Sequence, residues 1–145
     1  MKKYTIKKGR NYSGYRFRPI LFPRSVSFEF MFTEESKYQS EPNTQLREQI
    51  NKLAGLSFDP FGVNSWLKGW RYDSALNTFF ICDYRHIGGR AETITEVKNT
   101  EIAKVGQIRI CTVTGTGGFI GYRQYPYFGG KAAAPTSISI HLKFI

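Results

Sequence analysis

The chain has 145 residues, a formal net charge of +10, and a composition that is 41% hydrophobic and 16% aromatic. A chain of this length can bury a core by itself and suits a single domain over residues 1–145, and its aromatic content argues against disorder. It has no apolar run of the roughly 18 residues that span a membrane and no secretory leader, so we expect a cytoplasmic protein with no membrane partner.

The first third of the chain predicts short strands. Residues 4–7 predict a first strand and residues 9–14 a turn, after which residues 15–18 alternate aromatic and basic side chains. Residues 20–22 lie between two prolines, and because proline cannot donate to a sheet, they predict an edge strand or a crossing segment. Residues 26–32 alternate in polarity, so their phenylalanines are predicted to lie in the core.

One helix is predicted, near residues 44–54. Leu46, Ile50 and Leu53 recur at helical spacing, and the polar residue at 43 or 44 can cap the first turn. The proline and glycine of residues 58–62 then predict a loop.

Strand patterning returns at residues 65–72. The alternation predicts two faces, which carry Trp66, Lys68, Trp70 and Tyr72 on one side and Leu67 and Arg71 on the other. Trp70 in particular is expected to be buried. Residues 78–86 and 91–98 predict a hairpin about Gly88 and Gly89, and residues 107–114 predict a second hairpin with residues 119–122 through the glycines of residues 115–118.

The C-terminal quarter begins with an aromatic loop, residues 122–131, and ends in the best patterned strand of the chain, residues 138–144. We expect that strand to be central and the loop to cover one end of the core. About eight to ten strands at this spacing predict a mainly β protein, an antiparallel β-sandwich of the jelly-roll or concanavalin-like type.

Three segments carry a resemblance: Ile50-Asn51-Lys52-Leu53, Gly69-Trp70-Arg71, and residues 125–130 with Ala134-Pro135 after them. In this order they resemble a family of short proteins from gut anaerobes and their phages that has no established activity. The resemblance covers about residues 46–142 and implies a jelly-roll or concanavalin-like sandwich. It also implies a place in the host cytosol if a phage encodes the chain. The acid-poor N-terminal segment and residues 58–64 depart from the pattern.

Catalytic and metal-site patterns are weak in this sequence. His86 and His141 have no partners at ligand spacing, and no nucleophile elbow is present. The glycines of residues 115–118 lack the lysine and the helix that a phosphate loop requires. We therefore expect no cofactor and no metal, and the balance favours a protein that is not an enzyme. Cys82 and Cys111 lie in strand patterns and are predicted to be inert, buried thiols.

Positive charge is concentrated at the two ends of the chain. Residues 1–28 carry eight lysines and arginines, residues 102–145 carry five, and all eleven acids lie between Glu29 and Glu101. Because the ends of compact domains often lie close together, we expect these segments to share a face that meets an anion.

Arginine and aromatic residues that are close in sequence provide candidates for the site. Guanidinium groups suit phosphate oxygens, and tyrosine and tryptophan rings offer flat faces for stacking. The candidate ligand-binding residues are Arg16, Arg18, Trp66, Arg71, Tyr84, Arg85, Arg123, Tyr125, Tyr127 and Lys131. Among them Arg16, Arg18 and Arg123 are expected to be exposed and to contact the anion.

The favoured hypothesis is a non-catalytic binding protein that captures a phosphorylated small ligand. Such a ligand could be a nucleotide or a cyclic nucleotide signal, for example one that a phage protein sequesters against host immunity. Two alternatives stay open: a carbohydrate-binding or virion structural module, and nonspecific nucleic-acid binding through the basic ends. The sequence leaves homo-oligomerisation open.

Overall fold

The computed structural model describes residues 1–14, 17–21, 23–40, 49–59, 64–88, 93–115, 117–129 and 132–145. Over these residues the protein has ten strands and one short 3-10 helix, Glu34–Ser36. The strands are β1 (Lys2–Ile6), β2 (Phe17–Leu21), β3 (Ser25–Phe32), β4 (Asn51–Ser57), β5 (Asn64–Asp73), β6 (Thr78–Gly88), β7 (Thr93–Ala103), β8 (Arg109–Thr114), β9 (Ile120–Gln124) and β10 (Ile138–Phe144).

The strands form two sheets that pack face to face. The smaller sheet has the order β1-β10-β3-β8, and the larger has the order β2-β9-β4-β5-β6-β7. Every strand pair is antiparallel. The prediction of a mainly β antiparallel sandwich is confirmed.

The best patterned strand lies where its pattern predicted. β10 pairs with β1 on one side and with β3 on the other, so its central position is confirmed. Ile138, Ile140 and Leu142 are completely buried, whereas Lys143 is exposed. An alternation of this kind is what a strand needs when one face meets a core and the other meets water.

Aromatic rings join the two sheets. Phe28, Phe30 and Phe32 of β3 are buried, as predicted, and the Phe32 ring stacks on Phe79 of the larger sheet with ring centroids 4.4 Å apart. Trp70 is completely buried beside them, 5.1 Å from Phe32, so its predicted burial is confirmed. Stacked and tilted ring pairs at these distances add to the gain from burying their surface.

The predicted helix near residues 44–54 is wrong where the structure describes it. Residues 51–57 form β4, and the predicted cap and residues 44–48, with Leu46, lie outside the described residues. β4 lies inside the larger sheet, and its register shifts between Lys52 and Ala54, so Leu53, Ala54 and Leu56 are all completely buried. A buried strand with a bulge loses its period of two, and Ile50 and Leu53 then fall at a helical spacing by accident.

The second predicted hairpin is also wrong. β8 belongs to the smaller sheet and β9 to the larger one, so the glycine-rich segment between them crosses from sheet to sheet. Gly115 is needed for close approach, since a Cβ there would lie 2.7 Å from Cε3 of Trp66.

The first predicted hairpin is confirmed in its pairing. β6 pairs with β7 from Phe79 and Ala103 to Gly88 and Thr93, and its turn, with Gly89, lies outside the described residues. The predicted edge segment is also confirmed, because β2 holds Pro19 and forms one edge of the larger sheet. Most of the predicted loop at residues 58–62 lies outside the described residues.

The segregation of charge along the chain is only partly kept in space, because Glu35 pairs with Lys3 of β1 and Glu101 pairs with Arg109 of β8. The two acid-free segments supply β1, β8 and β10 of the smaller sheet and the adjacent β2 and β9 of the larger sheet. The described strand acids of the larger sheet lie in β5, β6 and β7, at the other side of that sheet. No helix in the described residues is long and apolar enough to cross a membrane.

Removing one ring of the aromatic core should cost a large part of the stability of a domain this size. We expect Phe32→Ala to lower the free energy of unfolding by about 3–5 kcal/mol, because it removes contacts to both Phe79 and Trp70 and leaves a cavity. Phe119, which is 75% exposed, is the matched control. Phe119→Ala should change the free energy of unfolding by less than about 0.5 kcal/mol. Urea unfolding measures both, and equal effects would contradict this account of the core.

Candidate functional site

Three of the predicted site residues meet in one cleft, which follows from the unequal width of the sheets. β8 is the last strand of the smaller sheet and packs against β4 and β5, whereas β6 and β7 extend past it. The overhang forms one wall of a cleft of about 360 Å³. Its lining residues are Trp66, Leu67, Asp83, Tyr84, Arg85, Glu96, Lys98, Thr112, Val113 and Thr114.

Trp66 holds Arg85 in this cleft. The guanidinium carbon of Arg85 lies 3.6 Å from the centre of the Trp66 ring, and its Nη1 donates to the carbonyl oxygens of Ser65 at 3.1 Å and His86 at 2.8 Å. Burial lowers the pKa of Arg85 from its usual value. The indole also meets the edge of the Phe58 ring at 5.6 Å. Because Arg85 and Phe58 already pack against the Trp66 ring, we infer that Trp66 positions Arg85. The ring is then a poor surface for stacking of a ligand ring.

The charges of this cleft are mixed. Lys68 forms an ion pair with Asp83, whose other oxygen accepts a 2.7 Å hydrogen bond from Asn99. Burial acts to raise the pKa of Asp83, but the hydrogen bonds from Asn99 and Lys68 outweigh it and hold that pKa below its usual value. Glu96 lies 3.8 Å from Lys98. In the lining Arg85 and Lys98 balance Asp83 and Glu96, and Lys68 beside Asp83 adds one further cation, so the cleft has mixed charge.

Arg123 lies against the core. Its guanidinium carbon is 4.2 Å from the centre of the Phe144 ring, and its Nε is buried without a hydrogen-bond partner in the described part of the chain. The expectation that Arg123 is exposed is therefore wrong. Arg18 lies opposite it on β2 and is exposed, as expected. Arg71 packs over the Phe80 ring at 4.5 Å, away from the cleft.

The remaining predicted residues belong to the aromatic loop or fall outside the described residues. Tyr125 is buried, with its ring 5.3 Å from that of Phe144, so it serves the core. Tyr127 lies near the surface, beside Lys52, whose Nζ is 5.1 Å from the ring centre. Burial lowers the pKa of Lys52. Arg16 and Lys131 lie outside the described residues.

The aromatic loop holds a second segment, residues 7–14, in place. The side-chain amide of Asn11 donates to the carbonyl oxygens of Phe128 at 2.8 Å and Ala132 at 2.9 Å. The backbone of Asn11 accepts from Phe128, and two further backbone bonds join Gly9 and Arg10 to Ala134. These five hydrogen bonds, two to Phe128 of the loop and three to Ala132 and Ala134 just after it, make residues 7–14 a fixed part of the surface.

A cleft of about 390 Å³ lies against this segment and is basic. Its lining residues are Thr5, Lys7, Arg10, Asn11, Tyr12, Ser13 and Gly14, none of which is acidic. The hydroxyl oxygen of Ser13 is buried and has no hydrogen-bond partner in the described ranges. Tyr12 is 39% exposed, and its ring meets Tyr127 edge to face at 4.7 Å. We call this the loop cleft.

Sequence reasoning did not select the residues of the loop cleft. It placed residues 9–14 in a turn and chose arginines next to aromatic residues in strands. The signal was the absence of acids in residues 1–28 together with Arg10, Tyr12 and the flanking glycines. Gly9 and Gly14 have φ angles of +78° and +95°, which glycine adopts most readily, and they let the segment turn tightly around the cleft.

Comparisons of this chain with protein-family models, with curated proteins and with solved structures found no significant match. Among the described residues, no group of three or more histidine, cysteine, aspartate or glutamate side chains could hold a metal ion. Both cysteines are free and buried. The site must therefore be interpreted from its own chemistry.

Burial should keep both thiols unreactive in the folded protein. Burial raises the pKa of Cys82 to about 11 and also raises that of Cys111. At pH 8 only about one Cys82 thiol in a thousand would then be the reactive thiolate. We expect an alkylating reagent to label neither residue until denaturant is added, as mass spectrometry can follow. Rapid labelling of either thiol in the native state would contradict this.

Arg123 and Arg18 should differ in what they contribute to stability. Arg123→Ala removes a partly buried cation–π contact and the packing of its stem, so it should lower the free energy of unfolding by about 1–2 kcal/mol. Arg18→Ala is the matched control, since it removes an exposed charge that faces another cation and should be neutral or slightly stabilising. Thermal unfolding distinguishes them, and a neutral Arg123→Ala would mean that Arg123 is free for a ligand.

Proposed function

We propose that this protein is a non-catalytic binding protein that captures a phosphorylated small ligand, such as a nucleotide, in the loop cleft. The observation that carries the proposal is that Lys7 and Arg10 line a cleft with no acidic side chain among its lining residues. A phosphate group needs cations and hydrogen-bond donors, and it is repelled by carboxylates. The Trp66 cleft, with Asp83 and Glu96 in its lining, meets that requirement less well.

Each lining group has a role in the proposal. Arg10 offers a planar fork of donors for two phosphate oxygens, and Lys7 adds a compact positive charge. The buried hydroxyl of Ser13 is a further donor for a ligand oxygen. The Tyr12 ring, exposed at the border of the cleft, offers a face on which a base can lie.

Size and rigidity support the same proposal. A volume of about 390 Å³ lies within the range of small-molecule sites. The hydrogen bonds from Asn11 to the aromatic loop fix the cleft before any ligand arrives, so binding would cost little ordering of the chain. The resemblance to phage proteins makes sequestration of a host nucleotide signal one form that this function could take.

The direct test is mass spectrometry of small molecules released by heating the purified protein. A nucleotide that survives purification at high salt supports the proposal. A nonspecific nucleic-acid binder would instead lose its partner as salt rises, because its affinity comes mainly from released counterions. A carbohydrate-binding module would release no phosphorylated compound.

Single substitutions locate the site. We expect Lys7→Ala and Arg10→Ala each to weaken binding of the released nucleotide by about 1.5–3 kcal/mol, roughly ten-fold to over a hundred-fold, because each removes a charged hydrogen-bond partner. Lys104→Ala, at an exposed turn between β7 and β8 and outside the loop cleft, is the matched control for net charge. Calorimetry measures affinity and thermal unfolding checks the fold. Equal affinity in all three variants would reject the loop cleft as the site.

A further inference from the structure

Among the described strands β8 pairs only with β3, so one of its edges is free there, and two observations show which of its residues bond to β3. The Gly115 amide donates to the Arg24 carbonyl at 3.1 Å, so in the antiparallel β3–β8 ladder the residues that exchange hydrogen bonds are 113 with 26 and 111 with 28. Residues 112 and 114 then direct their N–H and C=O groups away from β3. Independently, Ser27, which faces Thr112, accepts at 2.9 Å from Ile145 on its other side.

That free edge faces the Trp66 cleft. Thr112 and Thr114, the residues with outward backbone groups, line the cleft together with Arg85, Glu96 and Lys98. The edge lacks the usual protection against strand pairing, because residues 110–114 of β8 contain no charge and no proline, and Ile110 is 67% exposed. An extended segment could pair with residues 110–114, whereas Arg109, at the start of β8, already donates to Ile102 and Glu101 of β7 at that end of the groove.

We propose that this groove accepts an extended, acidic peptide segment of another protein, which adds a strand to the smaller sheet along β8. The backbone groups of Thr112 and Thr114 recur at the two-residue repeat of a strand, which a peptide matches and a nucleotide or a sugar does not. Arg85 and Lys98 in the lining balance Asp83 and Glu96, and Lys68, which pairs with Asp83, adds one positive charge, so an acidic side chain of the peptide is favoured.

A second copy of the chain fits this edge poorly. Two β8 strands that paired edge to edge would bring two smaller sheets into one layer. The overhanging β6 and β7 of each copy would then meet in the layer below. The overhang, which is two strands wide, leaves room beside β8 for an added strand. This inference is independent of the loop cleft and its nucleotide.

The first test uses a peptide and the unaltered protein. Ten-residue peptides from a displayed random library are selected on the immobilised protein, and the best is synthesised in two forms, N-methylated at odd or at even positions. A peptide strand that pairs with β8 along one of its edges donates only every second backbone N–H group to that pairing. One form should therefore bind at least about ten-fold more weakly and the other should bind nearly as well as the parent. Equal binding of both forms, or no enriched peptide, overturns the proposal.

The second test places the peptide on β8. Thr112→Pro removes the outward N–H without breaking the ladder to β3, whereas Thr112→Ala keeps that N–H. Both lose the 2.8 Å hydrogen bond to the Ser27 hydroxyl, so they are matched. We expect the peptide to bind Thr112→Ala as it binds the parent protein and to bind Thr112→Pro at least about ten-fold more weakly.

Charge and oligomeric state complete the test. Lys98→Ala should weaken binding of the acidic peptide several-fold more than Lys104→Ala does. If Thr112→Pro does not fold, the N-methylated peptides still decide the outcome. A dimer of the protein that Thr112→Pro dissociates would overturn the proposal, since the occupant would then be a second copy. Variants of Lys7 and Arg10 should leave peptide binding unchanged.

Discussion

Two sheets of unequal width meet across one aromatic layer, and the other features of the molecule depend on that packing. Phe32 of the smaller sheet stacks on Phe79 of the larger one, with Trp70 beside them, so these three rings fix how the sheets lie over each other. The smaller sheet then ends at β8 while the larger continues through β6 and β7. A groove follows from the difference in strand number, because from Asp83 onward no described strand of the smaller sheet covers the inner face of β6 and β7.

Polar side chains on that overhanging face are explained by the same geometry. Asp83, Arg85, Glu96 and Lys98 lie where a narrower sheet leaves the face open, whereas Trp70 and Tyr72, further along β5 on the same face, lie beneath the smaller sheet. Charged groups on a half-open face need partners, which the Lys68–Asp83 pair between β5 and β6 and the Glu96–Lys98 pair along β7 provide. The result is a groove of mixed charge with one cation in excess, next to residues 110–114 of β8, which carry no charge.

The basic end of the molecule has a different origin. β10 pairs with β1, which brings the N-terminal segment beside the C-terminal one, and Asn11 then ties residues 7–14 to the aromatic loop. Positive charge collects there because both segments lack acids, and the aromatic loop gives the basic segment a fixed shape. The two clefts therefore differ in charge and in rigidity for reasons that lie in the chain connectivity.

The sequence by itself determined those features that depend on the pattern of residues within a single strand. The alternation of β3 and β10, the buried phenylalanines, the burial of Trp70 and the edge position of β2 all follow from a period of two or from a proline, and each is confirmed. Candidate ligand residues could be chosen only by type, and Trp66, Tyr84 and Arg85 met in a cleft because adjacent strands carry them.

Only the tertiary structure decided which strands pair and which arginines are free. Residues 51–54 joined the middle of a sheet, where burial on both faces and a bulge hide the strand period that local sequence would show. β8 and β9 separated because Gly115 must pass against Trp66, a contact between residues 49 positions apart that no local pattern encodes. The packing of Arg123 on Phe144 is likewise a contact between two strands, β9 and β10, that no local pattern encodes. Periodicity records the environment of one strand, whereas pairing and side-chain exposure depend on neighbours that are distant in the chain.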